Sequence, residues 1–327
     1  MTHKLKNIVI VGQGAMGLLW YHHLTQQHCT NKTSGKINEE VCVSLLASNQ
    51  NSLSEDEQKT ASYKFTAYQQ QQAKVYPLNY SQVVDITAAD VIILCLKSFH
   101  IATVIEKIAK SIPAHCLIIL AHNGMGTLEH VVKLLPSQQV ILAMLTTHGC
   151  LRYASLAITH TGLGQSDIGL LSGKLSSSEQ EQLSRQLNYA LPQVYFHQDI
   201  VQKQWLKLAI NCVINPITAI NNIENGDVNK AQFAEQINRV LTEIVNISRA
   251  ENINLVLSDL EVTVRKVAKA TAKNSSSMRS DVLAGRTTEI DYINGYIHRL
   301  AKKHNVATPE NTRLWQQVLN LSAKPQG

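Results

Sequence analysis

Asn7-Ile-Val-Ile-Val11-Gly12-Gln13-Gly14-Ala15-Met16-Gly17 passes from a short β-branched run through spaced glycines into a helix-forming stretch that continues to about Gln27. Each glycine of Gly12-x-Gly14-x-x-Gly17 has its own physical use. The first permits a tight turn, the second lets backbone approach a pyrophosphate, and the third lets helix pack on strand. The anion then meets the unpaired N–H groups of a helix N-terminus. A strand before and a helix after give the pattern the context of a dinucleotide-binding loop, with Gly12, Gln13, Gly14, Ala15, Met16 and Gly17 as candidate contacts. A tight strand-to-helix turn that binds nothing satisfies the same pattern.

Working outward, residues 41–47, 91–96, 116–121 and 140–145 are apolar runs, as parallel strands buried on both faces are. Between the middle two, Ile101, Val104, Ile105 and Ile108 recur at helical spacing, and a further helix is expected over residues 127–135. This alternation predicts a Rossmann-like, doubly wound parallel sheet. Residues 30–40 read as a long polar loop, and residues 48–74, rich in Ser, Asn and Gln, as loops with an irregular hairpin. From Asp199 onward nearly every periodic segment is helical. The expected organisation is an α/β nucleotide-binding domain over residues 1–197 and an all-helical domain over residues 198–327.

An apolar fraction of 44% over 327 residues suffices for two hydrophobic cores. The net charge of +6 is spread without Lys/Arg runs, which argues against a nucleic-acid partner. Cys29, Cys42, Cys95, Cys116, Cys150 and Cys212 form no C-x-x-C and no Cys/His pair at ligand spacing. A reducing compartment and no metal site are expected. The N-terminal apolar stretch is too short for a signal peptide, and no run reaches the roughly 18 residues of a membrane span. The expectation is a cytoplasmic chain with no membrane partner, either monomer or homodimer.

The second informative stretch is Gln204-Trp-Leu-Lys207-Leu-Ala-Ile-Asn211-Cys-Val-Ile-Asn215-Pro216-Ile-Thr-Ala219. Lys207, Asn211 and Asn215 stand at i, i+4 and i+8, hence on one helical face. The remaining faces are apolar, so the helix should be largely buried and its polar stripe should need partners. Pro216 disfavours helical conformation at Asn215 and predicts a kink or break there. An ammonium with two amides suits a site that protonates a ketone oxygen while orienting its substrate. A solvent-exposed stripe with an ordinary surface lysine fits the composition equally well.

Trp205-x-Lys207-Leu-x-x-Asn211-Cys-Val-Ile-Asn215-Pro-x-Thr-Ala219 resembles the corresponding segment of the ketopantoate reductases (2-dehydropantoate 2-reductases). So do His122-Asn-Gly-Met-Gly-Thr127, Ser277-Met-x-x-Asp281, Thr288-Glu-Ile-Asp-Tyr-Ile-Asn-Gly295 and Pro309-Glu-Asn-Thr-Arg313, in one order along the chain. The resemblance implies NADPH-dependent reduction of a small 2-keto acid, 2-dehydropantoate, to pantoate for pantothenate and coenzyme A synthesis. It implies that Lys207 donates the proton to the forming alkoxide, and that Glu289 is an essential carboxylate beside substrate and nicotinamide. Asn211, Asn215 and Asn225 match substrate-orienting amides, Ser277 a substrate-binding hydroxyl, and Asn123 a contact to both substrate and cofactor. Lys97 matches a lysine near the adenosine end of NADP(H), and Cys150 a backbone contact to the cofactor. One departure concerns the arginine that the family often carries after the second strand to grip the 2′-phosphate. Its nearest counterpart here is Ser48, in Leu45-Leu-Ala-Ser48-Asn-Gln-Asn51, which also lacks the acid of NAD-selective sites.

Read from their own surroundings, several of these residues have plainer uses. Glu289 is expected in the first turn of a helix capped by Thr287 or Thr288, with Thr288 and Asp291 at capping-box spacing. Gly285 fits a position closing the preceding helix, and Gly295 a close helix contact. His122 and His148 are expected to line the site without acting as general acids. Two alternatives stay open: a reductase of another branched 2-keto acid on the same scaffold, and a dinucleotide-binding regulator without catalysis.

Overall fold

The computed structural model describes residues 5–33, 41–47 and 54–322; Ser48 lies outside them. Contacts divide the chain into two units, Met1–His122 with Leu128–Ile200, and Asn123–Thr127 with Val201–Gly327. The first unit opens with β1 (Asn7–Val11), α1 (Ala15–Thr33), β2 (Cys42–Leu46), α2 (Glu55–Lys59), β3 (Ser62–Thr66), β4 (Lys74–Pro77) and α3 (Val83–Thr87). It continues with β5 (Val91–Leu94), α4 (Ser98–Ile108), β6 (Leu117–Leu120), α5 (Leu128–Leu134) and β7 (Ile141–Thr146). β8 (Gly149–Ala154), β9 (Ala157–Gly162), β10 (Ser166–Ser172), α6 (Ser177–Ala190) and β11 (Val194–His197) complete it.

A seven-stranded sheet runs β11-β10-β7-β6-β5-β1-β2. From β7 to β2 it is parallel throughout. The period-two alternation of its strands sorts side chains onto two cores. Ile8, Ile10, Ile93, Ile119 and Met144 pack with Leu18, Leu24, Leu183 and Leu187 of α1 and α6 on one face. Val9, Val11, Ile92, Ile118 and Leu120 pack with Ile101, Ile105 and Val131 of α4 and α5 on the other. The chain leaves β1 toward β2 and returns on the opposite side to β5, so the topological switch point falls between β1 and β5. Ligands of such sheets bind at that point, outside the carboxyl ends of the strands.

Three features of this unit depart from the sequence reading. The sheet is not wholly parallel, because β10 runs antiparallel to β7. The intervening β8–β9 hairpin returns the chain from the far end of β7, so the next strand must run backwards. α1 extends to Thr33, into the segment expected to be loop. A hairpin of β3 and β4 is present, but β4 begins only at Lys74, where the segment expected to hold it ends, and β3 also pairs in parallel with β9, giving a second sheet β4-β3-β9-β8.

The second unit consists of α7 (Ile200–Asn221), α8 (Ala234–Ala250), α9 (Leu257–Ala270), α10 (Ser277–Leu283), α11 (Asn294–His304) and α12 (Pro309–Ser322), with short 3-10 turns between them. Its core brings Trp205, Leu208, Val213 and Ile217 of α7 against Val240, Leu241, Ile244, Leu260, Ile297 and Val318. Apolar residues on α8, α9 and α11 recur at helical spacing, which leaves one face of each for this core. Of the kink or break expected at Pro216, the break does not occur; α7 continues through it.

Candidate active site

In the first unit the glycine loop sits at the switch point. Gly12 has φ +106°, and a Cβ there would stand 2.6 Å from the Cys95 carbonyl oxygen. A Cβ on Gly17 would stand 1.9 Å from the Gly12 carbonyl oxygen, so both positions are glycine for reasons internal to the protein. Gly14 differs, since a Cβ there would meet nothing within 4 Å. Its missing side chain leaves open space at the start of α1, the space a pyrophosphate needs. The Gly12 contact also places the loop after β5 beside the glycines, and Lys97 in that loop is the residue preceding α4. Cys150 joins them, its Sγ donating to the Ala15 carbonyl at 3.4 Å. Gly12, Gln13, Gly14, Ala15, Met16, Gly17, Lys97 and Cys150 therefore gather around one loop, and the residues fit a dinucleotide. Burial pushes the Cys150 thiol up to about 12 and Cys95 likewise, so neither is a thiolate at neutral pH.

These two kinds of glycine give separable outcomes. Gly14→Ala should leave the unfolding midpoint unchanged while weakening dinucleotide binding about tenfold, or about 1.4 kcal/mol. Gly17→Ala should lower the midpoint itself, by an overpacking cost of about 1–3 kcal/mol or more. Thermal unfolding with a nucleotide fluorescence titration reads both. Equal loss of stability in the two variants would contradict the assignment.

In the second unit, Lys207, Asn211 and Asn215 share a face of α7, the first two half-buried and Asn215 buried. One turn on, Thr218 Oγ1 lies 2.7 Å from Ser276 Oγ. Ser276 is the N-cap of α10, accepting from the Arg279 backbone N–H at 3.0 Å. Ser277, the residue read as the substrate hydroxyl, follows as the exposed first residue of that helix. Asn225 belongs to the same neighbourhood: its backbone N–H donates to Asn274 O and its Nδ2 to Thr271 Oγ1, both at 3.0 Å. The Asn225 Oδ1 is buried and accepts from no donor among the described residues.

Glu289 is placed differently from the sequence reading. It precedes a 3-10 turn, Ile290–Tyr292, and α11 starts only at Asn294, so Glu289 is not in its first turn. The Thr288–Asp291 capping box does not form, because Asp291 instead accepts from Trp315 Nε1 at 2.6 Å. Glu289 is buried, and Asn123 Nδ2 donates to its Oε2 at 3.5 Å. Asn123 is delivered there by glycines. The Met125 N–H bonds Tyr292 O at 2.8 Å, and a Cβ on Gly124 (φ +80°) would stand 2.3 Å from that same oxygen. Gly285, at φ +61° just after α10, is the helix-closing glycine expected. Gly295 faces Trp315, whose Nε1 would lie 2.9 Å from a Cβ there.

Comparison with known proteins bears on both units. The sequence profile described as "Ketopantoate reductase PanE/ApbA" matches residues 8–173, and that of its C-terminal part matches residues 199–322. This chain belongs to the ketopantoate reductase family. A 2-dehydropantoate 2-reductase of Vibrio cholerae is 32% identical over 317 residues, covering 96% of this chain and 97% of that protein. One from Yersinia pestis is 31% identical, covering 95% of this chain and 93% of its own length. Among solved structures, a ketopantoate reductase from Ralstonia eutropha superposes with a TM-score of 0.80 at 22% identity, covering 98% of this chain and 99% of that one. A D-mandelate dehydrogenase with NADH and anilino(oxo)acetate gives 0.83 at 20% identity, covering 96% and 98%. The two likenesses show a shared fold.

Sequence reasoning missed Ser276, and gave Thr218 and Gly124 no role of their own although both lie in the motifs it singled out. Ser276 is legible afterwards as the cap of a helix starting at Ser277, since Ser is a favoured N-cap residue. No helix among the described residues is long and apolar enough to cross a membrane.

Proposed function

We propose that this chain reduces 2-dehydropantoate to pantoate, with NADPH as its cofactor and Lys207 and Glu289 as the catalytic residues. The observation that carries the reading is the buried, unsatisfied Oδ1 of Asn225 in the unit bearing the Lys207–Asn211–Asn215 stripe. A buried acceptor left without a donor is costly. The substrate's terminal hydroxyl is a donor of the required kind, while its ketone and carboxylate suit an ammonium and the amide N–H groups. Bound NADPH supplies the hydride that reduces the ketone. Lys207 donates a proton to the ketone oxygen and stabilises the charge developing there. Asn211 and Asn215 orient the substrate, Ser277 adds a hydroxyl, and Glu289 is held by Asn123. On the cofactor side, Lys97 offers a cation to the 2′-phosphate, and the described end of β2, Leu46-Ala47, carries no acid to repel it.

A panel of 2-keto acids tests the substrate assignment. kcat/KM should be highest for ketopantoate, and at least about 10²-fold lower for the analogue with hydrogen in place of its hydroxyl. The keto acid corresponding to mandelate should be a poor substrate. Asn225→Ala should cut the discrimination against the deoxy analogue about tenfold, because the buried acceptor is gone. Equal kcat/KM for ketopantoate and its deoxy analogue would overturn the assignment.

A further inference from the structure

Pro216 has no N–H, so within α7 the Cys212 carbonyl loses its helical partner four residues on. Cys212 and Pro216 are buried, and the helix nevertheless continues to Asn221. A side chain from another helix fills the gap. Asn294 Nδ2 donates to Cys212 O at 3.0 Å and to Asn311 Oδ1 at 3.0 Å. Both neighbours are acceptors, which dictates that the amide presents its NH2 to them. Asn311 is itself fixed: its Nδ2 donates to Glu243 Oε2 at 2.8 Å and to Val240 O at 3.2 Å. The Glu243 carboxylate also accepts the backbone N–H groups of Glu310 at 2.8 Å and Asn311 at 2.9 Å. Asn294, Asn311 and Glu243 are all buried. Asn294 Oδ1 finds no donor among the described residues, so the amide is kept for what it donates.

This network joins the two segments that carry the proposed chemistry. Cys212 is the residue after Asn211 on the α7 stripe, and Asn294 follows the 3-10 turn that leads from Glu289. We infer that Asn294 is a positioning residue: it stands in for the N–H that Pro216 lacks and so fixes the Lys207–Asn211–Asn215 stripe against the Glu289 turn. The inference rests on the proposed reading that Lys207 and Glu289 serve one reaction. It has a distinctive consequence. Returning an N–H at position 216 makes the Asn294 donor redundant.

The test is a double-mutant cycle of Asn294→Ala with Pro216→Ala, followed in kcat for ketopantoate, KM for NADPH and urea midpoint. On the natural backbone Asn294→Ala should lower kcat on the order of 10–100-fold, as small misplacements of reacting groups do, with KM for NADPH unchanged. On the Pro216→Ala backbone the loss should shrink to about threefold or less, since the helix then satisfies Cys212 O itself. Asn294→Ser, which keeps a short donor, is the milder variant and should show the same shrinkage. Rescue of folding by Pro216→Ala would support the assignment equally. Equal losses on both backbones, or failure to fold on both, would overturn it. A wild-type chain that turns over no 2-keto acid would refute the functional reading alone, because the cycle in urea midpoints still reports the coupling at Cys212 O.

Discussion

Lys207→Ala should lower kcat for ketopantoate by roughly 10²–10⁴-fold, the span usual for loss of a positioned general acid, while NADPH binding stays intact. The physical ground is the position of the ammonium. It stands half-buried on the α7 face it shares with Asn211 and Asn215, while Trp205, Leu208, Ala209 and Cys212 on the other faces are buried and hold the helix in the core. A ketone accepting hydride becomes an alkoxide, and a charge-matched donor fixed beforehand lowers that barrier more than mobile solvent does. Lys207→Arg separates charge from acidity. A guanidinium keeps its proton up to about pH 12, so this variant should recover part of the substrate affinity and little of the turnover. Steady-state kcat and a nucleotide titration on the three proteins decide it. Activity of the alanine variant within a few-fold of wild type would remove Lys207 from the mechanism.

Acid should destabilise the chain steeply below about pH 6.5, through a cluster of histidines in the first unit, His22, His148 and His160 buried and His23 half-buried. His22 stacks on Phe65 with ring centroids 3.6 Å apart and its Nδ1 meets Tyr63 Oη at 2.9 Å. His23 lies 5.3 Å from His22 and 5.7 Å from His160, and His148 lies 5.4 Å from His160, centroid to centroid. Burial, reinforced by the neighbouring imidazoles, lowers His22 to about 3 and His23 and His148 to about 4. His160 is lowered too, by burial. These groups are neutral in the folded state and take up protons in the unfolded chain below its ordinary value of about 6.5. Stability is therefore flat above that pH and falls as pH drops from about 6.5 toward 4, by about 1.4 kcal/mol per unit for each histidine. Three such groups amount to on the order of 6 kcal/mol by about pH 5, against a typical total of about 5–15 kcal/mol. Urea midpoints from about pH 8 to 5 measure the slope, and His23→Phe should reduce it by about one proton. A midpoint independent of pH across that window would show that the cluster is not buried as described.

The histidine cluster also shows why parts of the fold were not legible. It depends on β3 pairing with β9, strands far apart in sequence and each too short to signal its partner. By contrast, β1 and the glycine loop could be read directly, because a buried parallel strand, a tight turn and a helix start each constrain residue type locally. α7 was legible as an apolar helix with a polar stripe, yet Pro216 does not end it. The local rule that proline breaks a helix omits the distant Asn294, which supplies the missing donor. Glu289 was misplaced by a few residues for a related reason. Trp315 takes Asp291 away from the capping box, and that competition is tertiary.

The most direct test of the central claim is isotope transfer. The purified chain is incubated with ketopantoate and NADPH deuterated on the transferred face of the nicotinamide, and the product is examined by mass spectrometry. The account predicts pantoate carrying one deuterium at C2, formed in equal amount to the NADPH consumed. Unlabelled pantoate, or NADPH consumption that does not depend on ketopantoate, would contradict it.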